Sequence, residues 1–328
     1  MNTLSMYILK ALRKLYVKAF NIPLLPKPIC EQNPDKASRI IYEKLMENKP
    51  CMIGRFGSTE LVTMTNYLGV KYPNKNLLKY IKGESLPWWW NENIIEQMQR
   101  WSGFFPPTQA KIEQFCELML EDMKEVDVLG SWLADEKYFD AEMRCRKVHI
   151  RLLEPFWASE PWTRALKGKK ILVIHPFAET ISQQYKKREQ LFDNKDTLPD
   201  FTALSIIKAV QTLGQPSEEY SDWFEALDSM KHQIDKADFD VCLIGAGAYG
   251  FPLAAHVKRI GKKAVHLGGA LQLLFGIKGK RWEDPNYGVQ IWGIPSGFYP
   301  SLMNQNWVHP LSTEKPLTAD KVEGACYW

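Results

Sequence analysis

The chain has 328 residues, 45% of them apolar and 24% charged, with a net charge of +4. That length buries a real core in one large or two smaller domains, and the composition excludes a disordered chain. The small positive charge does not by itself argue for a nucleic-acid partner, and no apolar run reaches the ~18–20 residues that span a bilayer.

Residues 1–28 carry Lys10, Arg13, Lys14, Lys18 and Lys27 and no acid. At about 100° per residue, Leu4, Ile8, Leu12, Leu15, Tyr16, Ala19 and Phe20 fall on one side of a helix and the basic residues on the other. Such a helix either lies in a membrane interface or packs on its own domain. Pro23, Pro26 and Pro28 then form a short stiff linker. The six cysteines, at 30, 51, 116, 145, 242 and 326, form no CxxC pair and no Cys–His ligand spacing. This points to a reducing compartment such as the cytoplasm, not to a disulfide framework or zinc site.

Residues 29–285 read as alternating strands and helices. A helix over 36–47 precedes a strand over 51–56, and Ser58 is placed to cap a second helix over 59–68. Residues 74–123 are mostly helical, broken by Pro87 and by Pro106-Pro107. Strands follow at 126–131 and 148–153. The clearest strand is 169–175, stopped by Pro176, with a helix over 178–191 behind it. The pattern then predicts extended chain over 199–204 and helices over 205–213 and 218–234. A strand over 239–244, a glycine-rich turn, a helix over 251–260, a strand over 263–267 and a helix over 270–275 complete the series. This alternation predicts an α/β fold, a Rossmann-like, mostly parallel sheet with helices on both faces. Residues 286–328 read as an irregular tail packed on that domain.

Gly245-Ala-Gly247-Ala-Tyr249-Gly250 satisfies GxGxxG between a strand and a helix, where backbone amides and the helix dipole favour an anion. The acid that a dinucleotide site expects about 20 residues on is missing: that strand reads Ala264-Val-His266-Leu-Gly268-Gly269. Neither a nicotinamide nor a flavin is therefore expected. Gly268-Gly269 repeats the glycine turn on the same sheet edge, with His266 between the two and Gln272 on the helix beyond. Lys278, Lys280 and Arg281 would suit a pyrophosphate, and Trp282 a base or sugar; the alternative is a solvated basic loop.

Gly54-Arg55-Phe56-Gly57-Ser58-Thr59-Glu60 forms a second constellation at a strand end. Arg55 is placed to hold phosphate, and Glu60 to bind metal or act as a base, unless it merely complements the helix dipole. Asp135-Glu136 and His175 also follow strands; the acidic pair reaches a divalent cation only through a turn. No GxSxG, HExxH or P-loop lysine is present.

The segment from Ile53 to Glu60 resembles the Arg-Phe-Gly-Asp-Gly-Glu stretch of GT-D-fold glycosyltransferases. Residues 245–282 are similar to the C-terminal region of GT-D-like proteins from bacterial surface-polysaccharide loci. The resemblance spans roughly residues 35–285. It implies a UDP-sugar donor, a glycan or lipid-linked acceptor, and a Mn2+ or Mg2+ ion near an Asp-x-Glu motif. Here Ser58 stands where that motif has its aspartate, and only Glu60 matches. So either the metal is held elsewhere, with Asp135 or Glu136 helping, or cationic side chains neutralise the leaving diphosphate, or activity is lost. A nicotinamide-dependent sugar-nucleotide oxidoreductase or epimerase and a non-catalytic nucleotide-binding scaffold are the competing readings. The expected location is cytoplasmic, at the inner face of the plasma membrane if residues 4–20 lie on it.

Overall fold

A parallel strand covered by helices must be apolar on both faces, and the short runs in this chain are. The computed structural model describes residues 3–23, 25–212, 217–316, 319 and 325–328. Its strands are β1 (Cys51–Gly54), β2 (Val128–Ser131), β3 (Arg146–His149), β4 (Lys170–His175), β5 (Ala203–Lys208), β6 (Val241–Ile244) and β7 (Lys263–His266). They form one all-parallel sheet in the order β3-β2-β1-β7-β6-β4-β5.

Alternate strand residues feed two cores. Met52, Leu172, Ile174, Cys242, Ile244 and Ala264 belong to one, and Cys51, Ile53, Ile171, Val173, Leu243 and Val265 to the other. The helices in chain order are α1 (Thr3–Ala19), α2 (Pro34–Met46), α3 (Ser58–Lys71), α4 (Leu77–Ile81), α5 (Glu92–Ser102), α6 (Gln109–Asp122), α7 (Ala178–Tyr185), α8 (Trp223–Lys236), α9 (Gly250–Arg259) and α10 (Leu271–Leu274). The first core takes Leu61 and Met64 of α3, Phe115 of α6, Leu227 of α8 and Leu253 of α9. The second takes Ile41 of α2, Ile181 of α7 and Leu271 of α10, with Tyr299 and Trp307 from the last part of the chain. That part is mostly irregular, with short helices α11 (Lys280–Glu283), α12 (Val289–Trp292) and α13 (Phe298–Leu302). Residues 317–318 and 320–324 of the expected tail lie outside the described residues.

Several local expectations change. Residues 205–208, expected to be helical, belong to β5, which pairs with β4 along its whole length; Leu213, the end of that expected helix, lies outside the described residues. Ile206 and Ile207 are β-branched, and a short apolar run cannot by its own periodicity tell a strand from a helix. The helix expected from 218 begins at Trp223, because the Asp222 carboxylate accepts the Glu225 N–H at 2.9 Å and caps it there. The helix from Ala178 stops at Tyr185, after which the chain bends and buries Leu191 against Gly276. Ser58 does not cap α3: Gly57 holds the cap position, without a side-chain bond, and Ser58 is the first helical residue.

Chain leaving β1 enters α3 on the first core, whereas chain leaving β7 enters α10 on the second. These strands are neighbours, so the connections diverge and open a crevice at their carboxyl ends. Away from it, α1 docks through Leu9 onto Tyr80 and Trp89. Arg13 donates to the Ser85 carbonyl at 2.8 Å and lies 4.8 Å over the Tyr80 ring. Among the described residues no helix is long and apolar enough to cross a membrane.

Candidate functional site

The loops that follow all seven strands line one cleft of about 400 Å³ at the carboxyl edge of the sheet, within the usual range for small-ligand sites. Arg55, at the end of β1, runs beside Gly268, where an added Cβ would meet its Cδ at 3.6 Å and Nε at 3.7 Å. Gly268 also has a φ of +62°, so a side chain there would be strained as well as crowded. Among the described residues the Arg55 guanidinium has no hydrogen-bond or ion-pair partner. A half-buried, unpaired guanidinium in a cleft is a site for an anion.

The first glycine turn divides its labour. Gly245, Gly247 and Tyr249 line the cleft, and Tyr249 is held by stacking on Trp223 at 4.9 Å. A Cβ on Gly245 would sit 2.6 Å from His175 Cδ2 and 2.7 Å from the Gly268 carbonyl. Gly250 is not on the cleft; it lets α9 close onto the His266 ring. His266 is likewise a packing residue: its Nδ1 lies 3.2 Å from the Ile244 carbonyl, and burial, then Arg55, push its pKa down to about 3. His175 does reach the cleft. Its Nδ1 accepts the Phe177 N–H at 3.0 Å, which leaves the ring proton on Nε2, the nitrogen beside Gly245. Burial pushes its pKa down to about 3 as well, so it is a neutral donor at pH 7.

The second glycine turn is closed by the end of the chain. The Tyr327 ring packs directly over Gly269. Gln272 is fully buried, and its amide donates to the carbonyls of Lys278 at 2.8 Å and Tyr327 at 3.1 Å, joining the two segments. Arg281 donates to Tyr327 Oη at 3.3 Å and Cys326 Sγ at 2.9 Å, and lies 4.7 Å over the Tyr327 ring. Arg281 and buried Trp282 line the cleft; Lys278 and exposed Lys280 do not.

The carboxylates separate. Glu60 lines the cleft, its carboxylate folded back over Gly57 into space that any side chain there would fill, and exposed Ser58 sits beside it. Glu136 is buried and used up: it accepts the N–H groups of Trp132 at 2.8 Å and Leu133 at 3.0 Å, and the Ser131 hydroxyl. Asp135 is not on the cleft; burial raises its pKa, opposed by a hydrogen bond with Thr65 of α3. Among the described residues no group of three His, Cys, Asp or Glu is placed to hold a metal ion. Of Glu60, Asp135 and Glu136, only Glu60 lines the cleft.

A further carboxyl, with no motif around it, stands in the cleft wall. Glu154, beyond β3, lines the cleft and accepts from Tyr299 Oη at 2.8 Å and Trp157 Nε1 at 3.1 Å. Burial pushes its pKa up to about 7, against those hydrogen bonds and nearby Arg151. Nothing in the local sequence marks it, since its phenol partner lies 145 residues away. Trp132 and Trp292, edge to face at 6.1 Å, and Tyr287 add aromatic surface to the same wall.

No protein-family model, characterised protein or solved structure gives a significant match to this chain.

Proposed function

We propose that this protein is a glycosyltransferase. It moves a sugar from a nucleotide-sugar, of the uridine-diphosphate class, to a hydroxyl of a glycan or lipid-linked acceptor in bacterial surface-polysaccharide assembly, at the inner face of the plasma membrane. The observation that carries this reading is the unpaired Arg55 guanidinium beside two glycine turns at the sheet's switch point. Cation and close-approach backbone together suit a diphosphate. The resemblance of residues 53–60 and 245–282 to GT-D-fold enzymes supports the same reading, as does aromatic surface suited to stacking a base or sugar ring.

The acceptor oxygen bonds to the anomeric carbon as the bond from that carbon to the diphosphate oxygen breaks. The leaving diphosphate keeps the electron pair, and Arg55 and the His175 Nε2–H stabilise its charge. The acceptor proton passes to a carboxylate. Glu60 is one candidate, and Glu154, whose pKa is about 7, is the better matched to proton transfer near neutral pH.

Calorimetric titration with UDP, with and without manganese, tests the binding step, and a UDP-sugar hydrolysis and transfer assay tests turnover. Micromolar UDP binding that disappears in Arg55→Ala is the expected result. Failure to bind UDP or any other nucleotide refutes the reading, and binding without turnover favours a nucleotide-binding scaffold.

A further inference from the structure

The amphipathic helix α1 carries its apolar groups in an arrangement that the docking contacts do not explain. Leu9 is the one large apolar residue of α1 that is fully buried, packed on Tyr80 and Trp89 with Met6 partly covered beside it. Arg13 and Lys10 lie on that same docked side, held by Ser85 and by Asn91. The opposite side is left open: Leu4 is 69% exposed, Ile8 51% and Leu15 64%, with Tyr7 and Leu12 also exposed. At 100° per residue Leu4, Ile8, Ala11 and Leu15 fall within one narrow stripe. Lys14 and Lys18, both exposed, border it.

Adjoining α4 repeats the composition. Leu77 and Leu78 are exposed, and Lys75, Lys79 and Lys82 are the charged residues of segment 75–82. Residues 1–28 contain no acid. A second copy of the same helix would cover the stripe without offering any opposite charge to Lys14 and Lys18, since the segment holds no acid. An anionic lipid surface satisfies both features at once, taking the apolar stripe below the headgroups and the lysines among them.

We propose that the α1 stripe of Leu4, Ile8 and Leu15, bordered by Lys14 and Lys18, is a docking surface for an anionic phospholipid bilayer, with α4 beside it. This deepens the peripheral placement given above and rests on it, but not on the chemistry of the cleft. Docking through Leu9 and Arg13 holds α1 rigidly against α4, so the stripe is presented preformed and the cleft is carried at a fixed orientation to the membrane.

The test is co-sedimentation of the full chain with vesicles of phosphatidylcholine containing phosphatidylglycerol, against phosphatidylcholine alone. Binding to the anionic vesicles should be roughly tenfold stronger, and should weaken in high salt. The Ile8→Glu/Leu15→Glu variant changes only exposed positions. It should lose roughly tenfold or more of that binding while its circular dichroism and its UDP titration stay unchanged. A wild-type chain that remains in the supernatant, or a variant that binds equally well, overturns the proposal. So does a wild-type dimer in sedimentation equilibrium that the variant abolishes, which assigns the stripe to a second copy. Since UDP binding is measured separately, failure at the membrane and failure of the transferase reading are distinguishable.

Discussion

Glu154 and His175 border the same cleft, and burial drives both toward their neutral forms. For Glu154 this raises the pKa to about 7, and for His175 it lowers it to about 3. At neutral pH the histidine is thus a pure donor through Nε2, while the carboxyl is poised between holding and taking a proton. If Glu154 is the base, kcat/KM rises with pH and levels off above about 7. Glu154→Gln should then lower kcat by about 10²–10⁴-fold and flatten the low-pH limb, as stopped assays across pH 5–9 would show. The same group has a stability signature of defined sign. Its folded-state pKa is raised from 4.5 to about 7, so the folded chain holds a proton in that window that the unfolded chain has released. Stability therefore falls as pH rises through the window, by up to about 1.4 kcal/mol per pH unit. Glu154→Gln removes this loss, and its melting temperature should gain on the wild type between pH 5 and pH 8. Arg55→Ala should weaken UDP binding by about 1.5–3 kcal/mol, the usual worth of hydrogen bonds to a charged group, read by calorimetry.

Among the elements, the strands were legible where tertiary context agreed with local pattern. The apolar runs ending at His175, Ile244 and His266 are covered on both faces, and continuous hydrophobicity needs no knowledge of partners. β5 was not legible, because it is an edge strand exposed along much of its length, and only pairing with β4 decides it. The glycine turn was visible as a pattern but not as a division of roles. Gly245 keeps His175 and the Gly268 carbonyl close, whereas Gly250 makes room for His266. Gly250→Ala forces a methyl into a buried ring, with an expected loss of about 1–3 kcal/mol in urea unfolding and little change in UDP affinity measured on the folded protein. Gly245→Ala presses on the cleft itself and should weaken UDP binding along with stability.

At the scale of the whole molecule, the last residues of the chain close the site. Tyr327 covers Gly269, Arg281 lies against it, and Gln272 is tied to its carbonyl. Removing residues 325–328 should leave the sheet intact by circular dichroism yet cut UDP affinity by at least about fivefold, since Arg281 loses its contacts with Tyr327 and Cys326. The sequence by itself determined the α/β class, the glycine turns, the basic amphipathic helix and the arginine at the end of the first strand. Each is a short-range pattern, written in periodicity or in neighbouring residue types. Only the tertiary structure decided which carboxylates serve the cleft. Glu136 looks like a ligand in sequence and is consumed by backbone amides, while Glu154 looks like nothing and stands in the wall. A side chain's chemistry depends on its burial and its partners, and here those partners come from strands and tail segments far apart in the chain.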